Sequence, residues 1–162
     1  MEPVDSAEKA LRRAALMLSR RTYSKQELFD KLLQKGCSVS DAENAVLRLC
    51  ELNVLDDVSY ALRIREDYFA RGYGLYRVRQ ELKKRKIARE TIDELLSETP
   101  DPDEKIRDLI LQKLRGYPPD LRTRKRISDF LIRRGYSYDE IAPAMRRLFP
   151  EDDFYDEPNG MK

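Results

Sequence analysis

Apolar residues recur every three or four positions from Leu11 to Phe149, and no run of strand-like alternation takes hold. Leu11, Ala14, Ala15 and Leu18 share one helical face. Leu28, Leu32 and Leu33 share a second, and Ala42, Ala45, Val46 and Leu49 a third. The same period continues through Ala61, Ile64, Arg65 and Tyr68, then Val78 and Leu82, then Ile92, Leu95 and Leu96. It resumes in Ile106, Leu109, Ile110 and Leu114, in Ile127, Phe130 and Leu131, and in a last stretch from Ser137 to Phe149. The pattern predicts an all-α chain of nine helices.

Polar punctuation marks the ends. Asp5-x-x-Glu8, Ser24-x-x-Glu27, Ser40-x-x-Glu43 and Ser137-x-x-Glu140 have capping-box spacing, in which two side chains satisfy orphan N–H groups reciprocally. Asp56 or Asp57 is expected to cap the fourth helix, because a short side-chain oxygen accepts from its opening turn. Gly36, Gly116 and Gly135 stop helices, and Gly72-Tyr73-Gly74 breaks one, since glycine tolerates the left-handed conformation found just past a helix end. Ser97 to Glu104, with two prolines and four acids, is the clearest boundary. Pro143 inside the last helix predicts a kink or a later start.

The pattern repeats. Leu28-x3-Leu32-x3-Gly36 superposes on Val78-x3-Leu82-x3-Lys86 and on Ile127-x3-Leu131-x3-Gly135, so positions 28, 78 and 127 are separated by steps of 50 and 49 residues. Downstream, Ala42, Ile92 and Ile141 match without gaps, as do Val46, Leu96 and Met145. The reading is three tandem three-helix repeats at 6–55, 56–99 and 103–149, with an acidic flexible tail at 150–162. Units of fifty residues bury little alone, so neighbours share apolar surface in an elongated, curved array.

Composition narrows what such an array can do. The 162 residues contain no His, which removes the commonest general base and metal ligand. The two cysteines, Cys37 and Cys50, cannot fill a four-ligand zinc site by themselves, and Cys50 sits in an apolar pattern that suits a buried structural thiol. Asp56 and Asp57 are adjacent and point apart on a helix, which fits a cap better than a catalytic pair. Gly72-x-Gly74 lacks the further glycine and lysine of a phosphate loop. No catalytic residue, metal site or cofactor is expected. No apolar run of membrane-spanning length is present, and a reducing cytoplasm is the expected compartment.

Charge is abundant but balanced: 32 Lys and Arg face 30 Asp and Glu, so only local clusters can imply a partner. Two clusters stand out, at the same place in successive repeats. One holds Arg77, Arg79, Lys83, Lys84, Arg85 and Lys86; the other holds Arg122, Arg124, Lys125, Arg126, Arg133 and Arg134. Charged helices are usually solvated faces balanced by pairs one turn apart. Here only Glu81 and Asp129 lie within reach in sequence. A positive surface of this kind attracts phosphates or an acidic protein groove. The candidate binding residues are Arg71, Arg77, Arg79, Lys83, Lys84, Arg124, Lys125 and Arg126. Tyr73 and Tyr76 could stack on bases or pack between helices.

These residues also carry a resemblance. Leu55-Asp56-Asp57-x-x-Tyr60-Ala61, then Gly72-Tyr73-Gly74-x-x-Arg77-x-x-Gln80-Glu81-Leu82 and Ile87, resemble the central signature of the RecX regulatory proteins. Phe130-Leu131-x-Arg133-Arg134-Gly135-Tyr136-Ser137 and Ser24-x-x-Glu27-Leu28 are similar to the same family, so the likeness spans about residues 10 to 149. The departure is Lys86, where the family usually has glycine; its loss is expected to cost the left-handed stop of that helix. The resemblance implies a non-enzymatic regulator; the sequence leaves the oligomeric state open, and a monomer is the expectation. It implies binding within the groove of the RecA–single-stranded DNA filament, with suppression of filament growth, ATP hydrolysis and strand exchange, and so an influence on DNA recombination, repair and the SOS response. The alternative left open is a helical protein that binds nucleic acid directly through a basic face. A hydrolase or nuclease is disfavoured by the missing His and metal cluster.

Overall fold

The computed structural model describes residues 3–150, so the acidic tail expected from residue 150 lies, from 151 onward, outside the described residues. Among the described residues there are nine helices and no strand. They are α1 (Pro3–Arg20), α2 (Lys25–Gln34), α3 (Val39–Glu51), α4 (Asp57–Ala70), α5 (Leu75–Lys84), α6 (Arg89–Leu95), α7 (Asp103–Leu114), α8 (Leu121–Arg133) and α9 (Tyr138–Leu148).

Two of the four capping boxes form. Ser24 and Ser137 each accept from the N–H three residues on, and Glu27 and Glu140 reach back to the cap N–H. The other two do not. Helix α1 already begins at Pro3, so Asp5 lies in its first turn and pairs with Lys9 at 2.7 Å instead. Helix α3 starts two residues early, with Ser38 as its cap accepting from Asp41 N–H, which leaves Ser40 inside the helix. At α4 the cap is Asp56, whose carboxylate accepts from Val58 and Ser59 N–H. Its neighbour Asp57 accepts from the Lys25 N–H at 2.9 Å. Helix α9 starts well before Pro143 and runs through it.

The repeat is visible in how helices stop. At Gly36, Lys86 and Gly135 the backbone turns left-handed, with φ of +86°, +56° and +95°. In each case that residue's N–H reaches back three residues and the next N–H reaches back five: to Leu33 and Leu32, to Lys83 and Leu82, and to Ile132 and Leu131. This is the Schellman ending. Lys86 therefore keeps the stop that its missing glycine was expected to cost, at the strain that a Cβ adds to a left-handed residue. Its ammonium pairs with Asp30.

The chain divides into two compact units. The first takes residues up to Asp67 together with Val78–Glu98. Its core is built on α1 packed against α2 and α3, with Ala14, Leu28, Leu32 and Ala42 fully buried. Cys37 and Cys50 are free thiols, only half-buried against this core. Tyr60, Ala61, Val78, Leu82, Ile92 and Leu96 are also buried in this unit. The N-cap of α2 is tied to a later segment. Ser24 Oγ donates to the Arg85 carbonyl at 2.5 Å, and Arg85 itself binds Tyr60 Oη and Glu81 at 3.0 Å each.

The second unit takes Tyr68–Arg77 with the chain from Thr99 onward. Helices α7, α8 and α9 enclose Ile106, Ile110, Ile127, Leu131, Ile141 and Met145. The segment between α4 and α5 docks on the turn between α8 and α9. Gly74 N–H donates to the Arg134 carbonyl at 2.8 Å and Tyr76 N–H to the Gly135 carbonyl at 3.2 Å. A Cβ on Gly74 would lie 2.4 Å from the Gly135 oxygen, and one on Gly135 would lie 2.5 Å from the Arg77 nitrogen. Gly72 is the left-handed residue expected of the break, at φ +80°. Gly74 serves a different end: its missing side chain lets two backbones meet.

Candidate functional site

The basic clusters sort themselves by what each cation already touches. Helix α5 buries Val78, Glu81 and Leu82 and leaves Tyr76, Arg77, Gln80, Lys83 and Lys84 exposed. Lys83 and Lys84 have no acidic partner among the described residues, and the contact recorded for the Arg77 guanidinium is the Tyr73 ring, 5.9 Å away. Arg79 is different. Its guanidinium meets Asp93 of α6 at 2.5 Å, and Arg89 joins the same carboxylate at 3.5 Å. These contacts hold the Asp93 carboxyl below its usual range, chiefly through the Arg79 hydrogen bond. Counting acids along the helix therefore understated the pairing, because Asp93 and Asp30 come from other helices.

In the second unit, α8 places Arg122, Lys125, Arg126 and Arg133 on one exposed side with Asp129 among them, around an open concavity of about 520 Å³ that Leu121 also lines. Arg126 lies over Tyr117 at 5.2 Å. Arg124 departs from the sequence expectation. It is only 3% exposed, with its guanidinium 5.0 Å from the Phe149 ring, so it packs inside the unit rather than adding to an exposed basic surface. The physical reason is helical phase: Arg124 stands one turn before the buried Ile127 and Leu131. Arg134 is likewise engaged. It sits 4.5 Å over Tyr73 and 5.1 Å over Phe130, and donates to the Arg71 carbonyl at 2.7 Å.

Arg71 is exposed and stands over Tyr68 at 5.1 Å and Tyr73 at 5.4 Å. Tyr73 is half-buried against Tyr68, ring centres 5.1 Å apart, and carries arginines at its faces; it is a packing residue here. Tyr76, next to Arg77 in sequence, is 65% exposed. The candidates fall in both units: Arg79, Lys83 and Lys84 in the first, and Arg71, Tyr73, Tyr76, Arg77, Arg124, Lys125 and Arg126 in the second. Sequence reasoning did not single out Arg122 and Arg133 as binding residues. Their spacing of three and four residues from Lys125, Arg126 and Asp129 was the available signal.

Among the described residues no group of three or more His, Cys, Asp or Glu could hold a metal ion, and no helix is long and apolar enough to cross a membrane.

Comparison with known proteins gives concordant results. Three family models match in order: the first RecX three-helix domain over residues 10–49, the second over 56–96 and the third over 101–145. Among curated relatives, the regulatory protein RecX of Vibrio campbellii is 36% identical over 134 residues, 82% of this chain and 86% of that one. The regulatory protein RecX of Pseudomonas fluorescens is 40% identical over 137 residues, 82% and 88% of the two chains. In fold, the crystal structure of RecX from Lactobacillus salivarius superposes with a TM-score of 0.80 at 23% identity, covering 90% of this chain and 97% of that one. With three family domains in order along a helical chain that carries their signature residues, the chain belongs to the RecX family of regulatory proteins.

Proposed function

We propose that the chain lodges in the groove of the filament that RecA forms on single-stranded DNA and inhibits its growth, its ATP hydrolysis and strand exchange. It would act as a monomer in the cytoplasm, without a cofactor, as a modulator of DNA recombination and repair. The observation that carries this reading is the set of exposed cations without acidic partners among the described residues. These are Arg77, Lys83 and Lys84 on α5, and Lys125 and Arg126 on α8. Unpaired surface cations gain little for the folded chain, but they raise the encounter rate with a polyanionic or acidic groove.

The test is RecA ATP hydrolysis on single-stranded DNA with increasing amounts of the protein. The wild-type chain is expected to suppress hydrolysis. The triple variant Arg77→Glu, Lys83→Glu, Lys84→Glu is expected to lose that suppression while its helical circular dichroism stays unchanged. A folded triple variant with full inhibition would overturn the reading. Suppression far below one protein per RecA subunit indicates capping of filament ends; near-stoichiometric suppression indicates occupation of the groove.

The concavity on α8 favours a second reading, direct binding of nucleic acid, since four cations face a single acid there. Binding to single-stranded DNA in the absence of RecA, with a logarithmic salt slope of about −0.7 per phosphate contacted, supports it.

A further inference from the structure

The acidic run at the end of the sequence has no part in the function proposed above. Residues 151–162 carry Glu151, Asp152, Asp153, Asp156 and Glu157 against Lys162 alone, with Phe154 and Tyr155 between the two groups of acids. Helix α8 offers the complement. Arg122, Lys125, Arg126 and Arg133 line its open concavity with the single acid Asp129, and all five are exposed. Asp120 does not add to that acid, because its carboxylate caps α8 and accepts from the Thr123 N–H at 2.7 Å. Apolar surface lies beside the cations: Leu121 is more than half exposed, and so is Tyr117, which the Arg126 guanidinium covers at 5.2 Å.

The fold delivers the run to this face. Phe149, which ends α9, is buried, and its ring lies 5.0 Å from the Arg124 guanidinium. Arg124 stands between Arg122 and Lys125 along α8, so the chain leaves α9 beside the first turns of the cationic helix. Extended backbone reaches ~3.3 Å per residue, so the stretch 150–157 covers up to about 26 Å. A helix with its side chains is about 10–12 Å across, so that length turns the acids onto the exposed side of α8. A tether this short holds them at an effective concentration of the order of millimolar, at which contacts too weak to keep a separate peptide are occupied. The other cations without acidic partners, Lys83 and Lys84, belong to the first unit, whereas α8 shares the unit of the acidic run.

We propose that residues 151–157 fold back on the exposed side of α8, with their acids against Arg122, Lys125 and Arg126 and their aromatic pair on Leu121 and Tyr117. Exposed ion pairs are individually weak and are screened by salt, so the contact is occupied yet displaceable. A polyanion has to displace this stretch before it meets the helix, and its affinity is set by a competition inside the chain. The contact with α8 does not depend on what else binds there. Its effect on a polyanion rests on the reading of α8 as a face that binds nucleic acid directly.

The experiment compares amide NMR spectra of the full chain with those of a full-length variant neutral in this stretch: Glu151→Gln, Asp152→Asn, Asp153→Asn, Asp156→Asn and Glu157→Gln. At low salt, differences are expected along residues 117–126 and not in the first unit, and they should vanish in about 0.5 M salt. Fluorescence anisotropy with an oligothymidylate reads the competition. For an internal contact of about 0.1 mM at an effective concentration of about 1 mM, the neutral variant should bind about tenfold more tightly. In the background Arg122→Gln, Lys125→Gln, Arg126→Gln the same neutralisation should change affinity by less than about twofold, because the competing contact is already gone. An equal gain in both backgrounds is an effect of net charge and overturns the proposal. So do unchanged α8 amides, and so do differences that grow with protein concentration, which place the acidic stretch on a second copy. If no variant binds the oligothymidylate, the nucleic-acid reading fails, while the α8 amides still decide the contact. None of these readouts involves RecA.

Discussion

Replacing Gly74 by alanine isolates one contact. Gly74 does not have a positive φ, so alanine meets no backbone penalty of its own there. The new Cβ would instead stand 2.4 Å from the Gly135 oxygen, 2.5 Å from its carbonyl carbon and 2.6 Å from the Tyr136 nitrogen. All three are backbone atoms, so no rotamer change relieves the overlap. Reaching ordinary contact requires a shift of about 1 Å, enough to break the bonds from Gly74 N–H and Tyr76 N–H to the α8–α9 turn. Two backbone bonds at about 1 kcal/mol net each, with a buried N–H left unpaired at about 1–3 kcal/mol, give a loss of about 3–5 kcal/mol. The control is Gly116→Ala. Gly116 has φ +79° and nothing within 4 Å of its Cβ position, so only left-handed strain of about 1–2 kcal/mol applies, partly offset by the stiffer unfolded chain. Urea unfolding followed by circular dichroism gives the two losses, and hydrogen exchange at the Tyr76 amide reads the docking directly. If Gly74→Ala is no more destabilising than Gly116→Ala and Tyr76 stays protected, the close-approach argument is wrong.

Other perturbations probe separate elements. Ser24→Ala removes a cap and leaves the Arg85 carbonyl without its donor, so a loss of about 2–3 kcal/mol is expected in urea unfolding. A loss under about 1 kcal/mol would mean that water replaces that donor. Lys86→Gly relieves the left-handed strain and should raise stability by up to about 1 kcal/mol, more than Lys86→Ala does, because alanine keeps the Cβ; equal effects would show that φ is not what matters. The Ser59 hydroxyl and the Ser59 and Val58 N–H groups hold the Asp56 carboxyl below its ordinary value. Its contribution is therefore present above the unfolded range near ~3.9 and is lost as pH falls through the folded value. The stability gap between wild type and Asp56→Ala should accordingly close in acid. Burial raises the Asp57 carboxyl, so its charge opposes folding above that range, and Asp57→Asn should be less destabilising near pH 7 than in acid.

Helix positions were legible because apolar spacing and helix-ending residues act locally. The three helix endings at 36, 86 and 135 follow from sequence register alone, and even Lys86 adopts the geometry its position demands. Ser40 and Asp5 misled because several residues near a helix start can cap it, and the choice between them depends on tertiary packing. The candidate surface was legible only in outline. Lys83 and Lys84 are as exposed as their spacing suggests. Arg79 and Lys86 find Asp93 and Asp30, acids fourteen and fifty-six residues away in sequence, which no count along one helix could supply. Arg124 was misplaced because a long basic side chain can lie against apolar neighbours, and composition does not reveal that. A cavity beside Tyr136 has no sequence signature, since its lining comes from three separate stretches, 69–75, 99–108 and 136–140.

The division of the chain has a consequence for its synthesis. The first unit is complete once Glu98 has emerged, but Tyr68–Arg77 belong with residues that follow Thr99. At about 5–20 residues per second, the 51 residues from Thr99 to Phe149 take about 3–10 s to appear. During that interval the Gly74 and Tyr76 amides have no carbonyls at Arg134 and Gly135 to meet. The segment with the family signature at its centre is therefore among the last to acquire its native neighbours, although it lies in the middle of the chain.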